Sequence, residues 1–557
     1  MKTASITQLE RRSLGRFDTP RPLAQALIDW SIQYPTDVVL EPSCGGGVIV
    51  KSAIARLKEL GVKNPANQIW ACDIDKRALA ETMRSVAPDA PKLIERNFLS
   101  TTLSSFGNNK FNAIIGNPPY VRLHAMDTET RRIARSSLPD NQIVGARASL
   151  WAYFPIHAHK LLANGGRMGW ILPETILHSE YGKQVFHWAK QKFAKCIAVS
   201  LRERCFVADG AKERVVILLL DGVAVERSSE IEMIEFSSAS ECIEALPKLA
   251  HPRAPALPRI NGHVVPHLIS DAATEAAQIL EKVSDVKRFG DFAEIKIGVV
   301  TGNNDFFVLN KEQCSRAKLG ARHFRRVVSK FANLGYGFRL SPEKTDFSPK
   351  SRQERSWMLC PNPRSQDPRL IKYLATYPRE EIAGNKTMGK RAHWFIPELG
   401  ATPDAFFQYM GKSGPRMVLN EAGYYCTNTI HRILFLKGVT QKNRRAICLS
   451  LHSTYSQLSA EFEGRQYGSG VLKLEPSEVR RLAFPMTESL AIALSKAWPR
   501  LTKEAATASW EEIIGRIDAL VVIHCPILAK ELPIEKARDL LTKVQRRRNS
   551  VHLGTAQ

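Results

Sequence analysis

From Asp37 to Asp221, short apolar runs alternate with stretches of helical periodicity. DVVLE (37–41), QIWACD (68–73), KLIERN (92–97), FNAIIG (111–116), GRMGWIL (166–172), CIAVSL (196–201) and RVVILLL (214–220) read as strands. Residues 48–60, 76–86, 150–163 and 180–193 read as the helices between them. This alternation predicts a doubly wound α/β sheet with helices on both faces. Ligands of such sheets bind beyond the carboxyl ends of the strands, so the residues that follow each strand are the ones to inspect.

The alternation fades at HPRAPALPRI (251–260), whose three prolines in ten residues predict a stiff linker. Beyond it, short strands, aromatics and Gly/Asn/Pro turns predict an α+β domain over 261–485. Residues 486–557 read as mostly helical and include the basic run QRRRN (545–549). The expected organisation is a first domain at 1–250, the linker at 251–260, a second domain at 261–485 and a helical region at 486–557.

A chain of 557 residues is too long for one ordinary core, which fits two to three domains. Lys and Arg number 79 against 55 Asp and Glu, and the net charge of +24 favours a polyanionic partner. The ten cysteines are scattered and form no CxxC pair, which speaks against a zinc ribbon or a disulfide framework. Reduced thiols in a reducing cytoplasm are the simpler reading. The N-terminal stretch lacks an apolar core, so it does not read as a signal peptide. The aliphatic run Val215–Leu220 is too short to span a bilayer, and no membrane role is expected.

Four strand ends carry candidate chemistry. In VLEPSCGGG (39–47) a strand ends at Glu41, and Gly45 to Gly47 lead into a helix. Glycines there let a ligand approach the backbone. The acceptor Glu41 suits a cationic group, such as an amino group, rather than a phosphate. Asp73 ends the next strand, where a carboxylate can accept both hydroxyls of a ribose. Asn97-Phe98 follows the third strand; Phe98 can lie on an adenine ring while the Asn97 oxygen accepts from its amino group.

IIGNPPYVR (114–122) is the most specific. The exocyclic amine of adenine is a poor nucleophile, because its lone pair is delocalised into the ring. The Asn117 side-chain oxygen and the Pro118 carbonyl can accept its two hydrogens, favouring a pyramidal nitrogen with its lone pair aimed at a methyl donor. Pro118 and Pro119 fix φ and aim that carbonyl, and Tyr120 offers a face on which an extruded base can stack.

These motifs resemble those of the gamma-class, TaqI-like adenine-specific DNA methyltransferases of restriction–modification systems. GRFDTP (15–20), EPSCGGG, CDID and NPPY occur in that family's order. SLWAYFPIHAHKLLANGGRMGWILPETIL (149–177) and CFVADGAKERVVILLL (205–220) resemble the segments that follow. The resemblance implies a Rossmann-like methyltransferase domain with a mixed seven-stranded sheet, followed by a DNA target-recognition domain. It implies S-adenosyl-L-methionine as cofactor, held by Thr19, Glu41, Ser43, Gly45, Asp73, Ile74, Asn97, Phe98 and Asn117. It places the target base, flipped out of double-stranded DNA, against Asn117, Pro118, Pro119, Tyr120 and Phe206. A cognate restriction endonuclease would act on the same site without a stable complex. The family usually has Asp where this chain has Asn97, so the acceptor is kept and the charge is lost.

IKIGVVTGNNDFFVLN (295–310), NEAGYYCTNTIHRI (420–433) and YGSGVLKLEPSEVRRL (467–482) resemble segments of the recognition domain in related enzymes. Arg322-His323-Phe324-Arg325-Arg326 and Lys390-Arg391-Ala392-His393-Trp394 interleave cations with aromatics, which suits phosphate contact and stacking. Three competing readings arise. Asp291 to Lys296 contains an acid–x–Lys pattern seen in metal nucleases, but it is short and merges into the GVVTG segment. The same NPPY chemistry also serves cytosine N4, ribosomal guanine and protein glutamine. A non-catalytic DNA-binding protein would not need Glu41, Asp73 and NPPY together. His157 and His159 lie two apart on a predicted helix and do not share a face as metal ligands would.

Overall fold

The computed structural model describes residues 19–138, 144–145, 148–201, 214–223, 231–236, 238–250, 259–260, 270–335, 337–342, 355–467 and 470–549. Phe206, the linker residues 251–258 and GRFDTP up to Asp18 lie outside the described residues. The chain divides into two compact units, Met1–Asp271 and Ala272–Gln557.

The first unit is built on a nine-stranded sheet: β1 (Val39–Glu41), β2 (Ile69–Asp73), β3 (Lys92–Glu95), β4 (Phe111–Gly116), β5 (Leu162–Pro173), β6 (Phe193–Leu201), β7 (Val215–Val223), β8 (Ile231–Phe236) and β9 (Arg259–Ile260). The order is β3-β2-β1-β4-β5-β7-β6-β8-β9. The first five strands run parallel, while β7 pairs antiparallel with both β5 and β6. The seven expected strands are all present, and β8 and β9 extend the sheet beyond them. Among the described residues the sheet is therefore mixed, as expected, with nine strands in place of seven. Residues 259–260, expected in the linker, instead pair with β8.

Continuous apolar strands are expected where both faces are covered. Along β7, Val216, Leu218 and Leu220 pack into one core, and Val215, Ile217 and Leu219 into the other. The same alternation splits β5, with Met168, Trp170 and Leu172 on one side and Ile171 opposite. The helices Val48–Glu59, Lys76–Val86 and Glu180–Lys192 form near the predicted bounds. The predicted helix at 150–163 is shorter: a 3-10 turn at Leu150–Ala152 and a helix at Tyr153–His159, after which β5 starts at Leu162. Among the described residues, no helix is long and apolar enough to cross a membrane.

The second unit is α+β. Its largest sheet has five strands, in the order Ala293–Ile297, Ile430–Phe435, Ala405–Gln408, Met417–Asn420 and Arg339–Leu340. The helices Glu488–Glu504, Trp510–His524, Pro526–Glu531 and Ile534–Asn549 follow. They are tied to the helix Thr454–Glu463 by buried polar contacts. Asp518 accepts the Thr454 N–H and hydroxyl at 2.9 and 2.7 Å, and the Tyr455 hydroxyl donates to the Leu532 carbonyl at 2.8 Å.

Several interleaved cations and aromatics serve this packing. The Arg326 guanidinium lies 4.4 Å from the Trp357 ring and 5.0 Å from that of Tyr424. Trp394 stacks on Tyr377 at 5.4 Å. Glu294 and Lys296 form an exposed ion pair, and among the described residues no group of three or more His, Cys, Asp or Glu could hold a metal ion.

Candidate active site

The site lies beyond the carboxyl ends of β1, β2, β3 and β4. After Glu41 the chain turns sharply: Cys44 N–H donates to the Cys72 carbonyl, and Gly47 N–H to the Cys44 carbonyl. Gly47 has φ +81°, and a Cβ there would lie 2.9 Å from Thr82 Cα. Backbone conformation and packing against the neighbouring helix thus both require glycine.

Asp73 holds this turn, its carboxylate accepting from Gly45 N–H and Asp75 N–H at 3.0 Å each. Ile74, next along the chain, is 65% exposed, an apolar surface at the mouth of the site. Asn97 caps the 3-10 turn Phe98–Ser100 by accepting from Leu99 N–H at 3.1 Å. Phe98 is buried against Phe154, with ring centroids 5.4 Å apart.

β4 ends at Gly116, where a Cβ would lie 3.1 Å from the Trp170 ring and 3.3 Å from Pro42. That close approach brings Asn117 beside the β1 loop. Ser43 donates to the Asn117 carbonyl, and Asn117 Nδ2 donates to the Thr19 hydroxyl, both at 3.2 Å. The nitrogen end of the Asn117 amide is therefore committed to Thr19, and the other end is an acceptor.

These residues line one cavity of about 310 Å³, which includes Thr19, Glu41, Ser43, Gly45, Asp73, Ile74, Asn97, Phe98, Asn117 and Pro119. Pro118 and Tyr120 do not line it. Tyr120 is half-buried against both cores and donates to the Ile171 carbonyl at 3.2 Å. The cavity is also lined by Arg96, Met126, Asp127 and Thr130, which sequence reasoning missed. Asp127 caps the helix Thr128–Ser136, accepting from Thr130 N–H, and that bond lowers its pKa. An aspartate before a helical stretch was the signal available.

Glu41 is the electrostatic centre. It is 3% exposed, its carboxyl accepts the Val50 N–H, and Oε2 is buried with no hydrogen-bond partner among the described residues. Desolvation pushes its pKa well above the ordinary carboxylate range, and the charge of Asp73 pushes the same way. Burial also raises the Cys72 thiol to about 12, so it stays protonated at neutral pH. A buried carboxyl with an unpartnered oxygen fits a cationic hydrogen-bond donor.

Two family models match the chain. One, described as Eco57I restriction-modification methylase, matches residues 63–202. The other, described as the C-terminal domain of the type II methyltransferase M.Eco57I, matches residues 261–522. The type II methyltransferase M.AccI of Acinetobacter calcoaceticus is 23% identical over 532 residues, spanning 93% of this chain and 94% of its own length. M.HindII of Haemophilus influenzae is 26% identical over 337 residues, covering 56% of this chain and 59% of its own. The DNA-bound type IIL restriction–modification enzyme MmeI shares the fold, with a TM-score of 0.54 and 12% identity over 99% of this chain and 74% of its own. These findings support a type II restriction–modification methyltransferase.

Proposed function

We propose that the protein transfers a methyl group from S-adenosylmethionine to the N6 amino group of an adenine extruded from double-stranded DNA, as the modification enzyme of a restriction–modification system. The observation that carries this reading is that one cavity joins the carboxylates Glu41 and Asp73 to the NPPY residues Asn117 and Pro119. When bound, the cofactor supplies an electrophilic methyl group on a cationic sulfur. Glu41 Oε2 accepts the methionine ammonium, Asp73 the ribose hydroxyls, and Ile74 and Phe98 cover the adenine of the cofactor. Asn97 keeps its capping bond and offers its second lone pair.

At the target end, the Asn117 oxygen and the Pro118 carbonyl accept the two hydrogens of the amine and turn its lone pair toward the methyl donor. Tyr120, with Phe206, stacks on the base. Residues 261–485 supply target recognition, because site choice needs side chains that reach base edges.

Glu41 makes the cofactor step testable. An ammonium partner favours the ionised carboxyl, so S-adenosylmethionine binding tightens as pH rises through the raised pKa of Glu41. The Glu41→Gln variant binds more weakly, and that slope disappears. Calorimetric titration across pH checks both; equal affinity and equal pH dependence in the variant would remove Glu41 from the cofactor site.

A further inference from the structure

The loop leaving the strand Ala293–Ile297 crosses the segment 426–430 at close range. Val299 N–H donates to the Cys426 carbonyl at 2.7 Å, and Asn428 N–H to the Val299 carbonyl at 3.0 Å. A Cβ on Gly298 would lie 2.1 Å from the Thr427 carbonyl oxygen, so the crossing requires glycine. The Thr427 and Thr429 hydroxyls both donate to the Ser329 carbonyl at 2.9 Å. The two segments are clamped together by backbone and side-chain bonds.

A polar relay runs outward from this block. Thr301 is 1% exposed and donates its hydroxyl to Asn304 Oδ1 at 2.7 Å. Asn304 Nδ2 then donates to Asn428 Oδ1 at 3.3 Å, and Asn428 is exposed. A buried hydroxyl thereby sets the sense of an exposed amide. Water would satisfy such an amide in any orientation; bracing matters when a partner must be met in one. On the same loop Val300 is 44% exposed, and Ile297 at the strand end is 46% exposed, together an apolar rim.

We propose that Asn428, oriented by Thr301 and Asn304, reads the edge of an adenine in the recognition sequence, a role that rests on the DNA-methylation reading above. An amide held in one sense matches adenine in the major groove: Oδ1 accepts from the N6 amino group with its second lone pair while Nδ2 donates to N7. The apolar rim of Val300 and Ile297 suits neighbouring thymine methyl groups.

The test uses the full chain and random-sequence duplex DNA, with the context of each methylated base read by sequencing. In Asn428→Ala, discrimination at one position of the site falls on the order of 10- to 100-fold. Thr301→Val gives a smaller loss at the same position, and Thr301→Ser restores it. An Asn428→Ala enzyme with wild-type context overturns the assignment. So does a uniform loss of affinity on every sequence, which would mark a phosphate contact. Wild-type protein that leaves no methylated base overturns the functional reading and this assignment together, whereas an unchanged context in Asn428→Ala overturns this assignment alone.

Discussion

Replacing Asn117 by Ala lowers the single-turnover rate of methyl transfer on the order of 10²–10³-fold while leaving S-adenosylmethionine affinity nearly intact. The asparagine has two roles that the substitution separates. Its backbone carbonyl receives the Ser43 hydroxyl, a contact that alanine keeps. Its amide donates to Thr19 and presents an oxygen acceptor, and alanine loses both. The acceptor acts on the reacting amine rather than on the cofactor, so the loss falls on the chemical step. Rapid-quench methylation with enzyme in excess, paired with a cofactor titration, measures the two separately. A variant that transfers methyl groups at a near wild-type rate would contradict the NPPY mechanism.

Arg548→Ala destabilises the second unit by about 3–5 kcal/mol, the usual result of removing one partner of a buried ion pair. Arg548 and Glu461 have side-chain exposures of 1% and 0% and meet in two hydrogen bonds, at 3.0 and 2.8 Å. The guanidinium also donates to the carbonyls of Gly470 and Lys412. It thus fastens the end of the last helix to strands at 410–411 and 471–473 and to the helix Thr454–Glu463. Alanine would strand a buried carboxyl whose pKa is already raised by desolvation. Urea denaturation of the full chain tests this; a midpoint unchanged in the unfolding phase of this unit would show that the pair contributes nothing. Changing Arg548 to Met and Glu461 to Leu together recovers much of the loss, because the isolated charge is gone.

The first unit was largely legible because its strands are apolar on both faces and are separated by helices of ordinary length. Its sheet edge was not: the apolar run of IEMIEF (231–236) is broken by Glu232 and Glu235, and β9 contributes two residues to pairing. Residues that follow strands β1 to β4 line one cavity. Arg96, Met126, Asp127 and Thr130 were missed; three of them belong to a stretch after NPPY that is mostly polar and shows its helix through a cap alone. In the second unit local pattern was silent. Nothing in QRRRN signals burial, yet Arg548 is among the largest fully buried side chains. Burial of a charged residue depends on a partner distant in sequence, which no local pattern reports.

The central claim is methyl transfer to adenine N6. Duplex DNA of mixed sequence is incubated with the full chain and S-adenosylmethionine carrying a deuterated methyl group, then digested to nucleosides and analysed by mass spectrometry. The account predicts N6-methyladenine carrying the label, lost in the Asn117→Ala control over the same interval. Label in N4-methylcytosine would contradict the assignment of the base, and DNA without label would contradict the proposed activity.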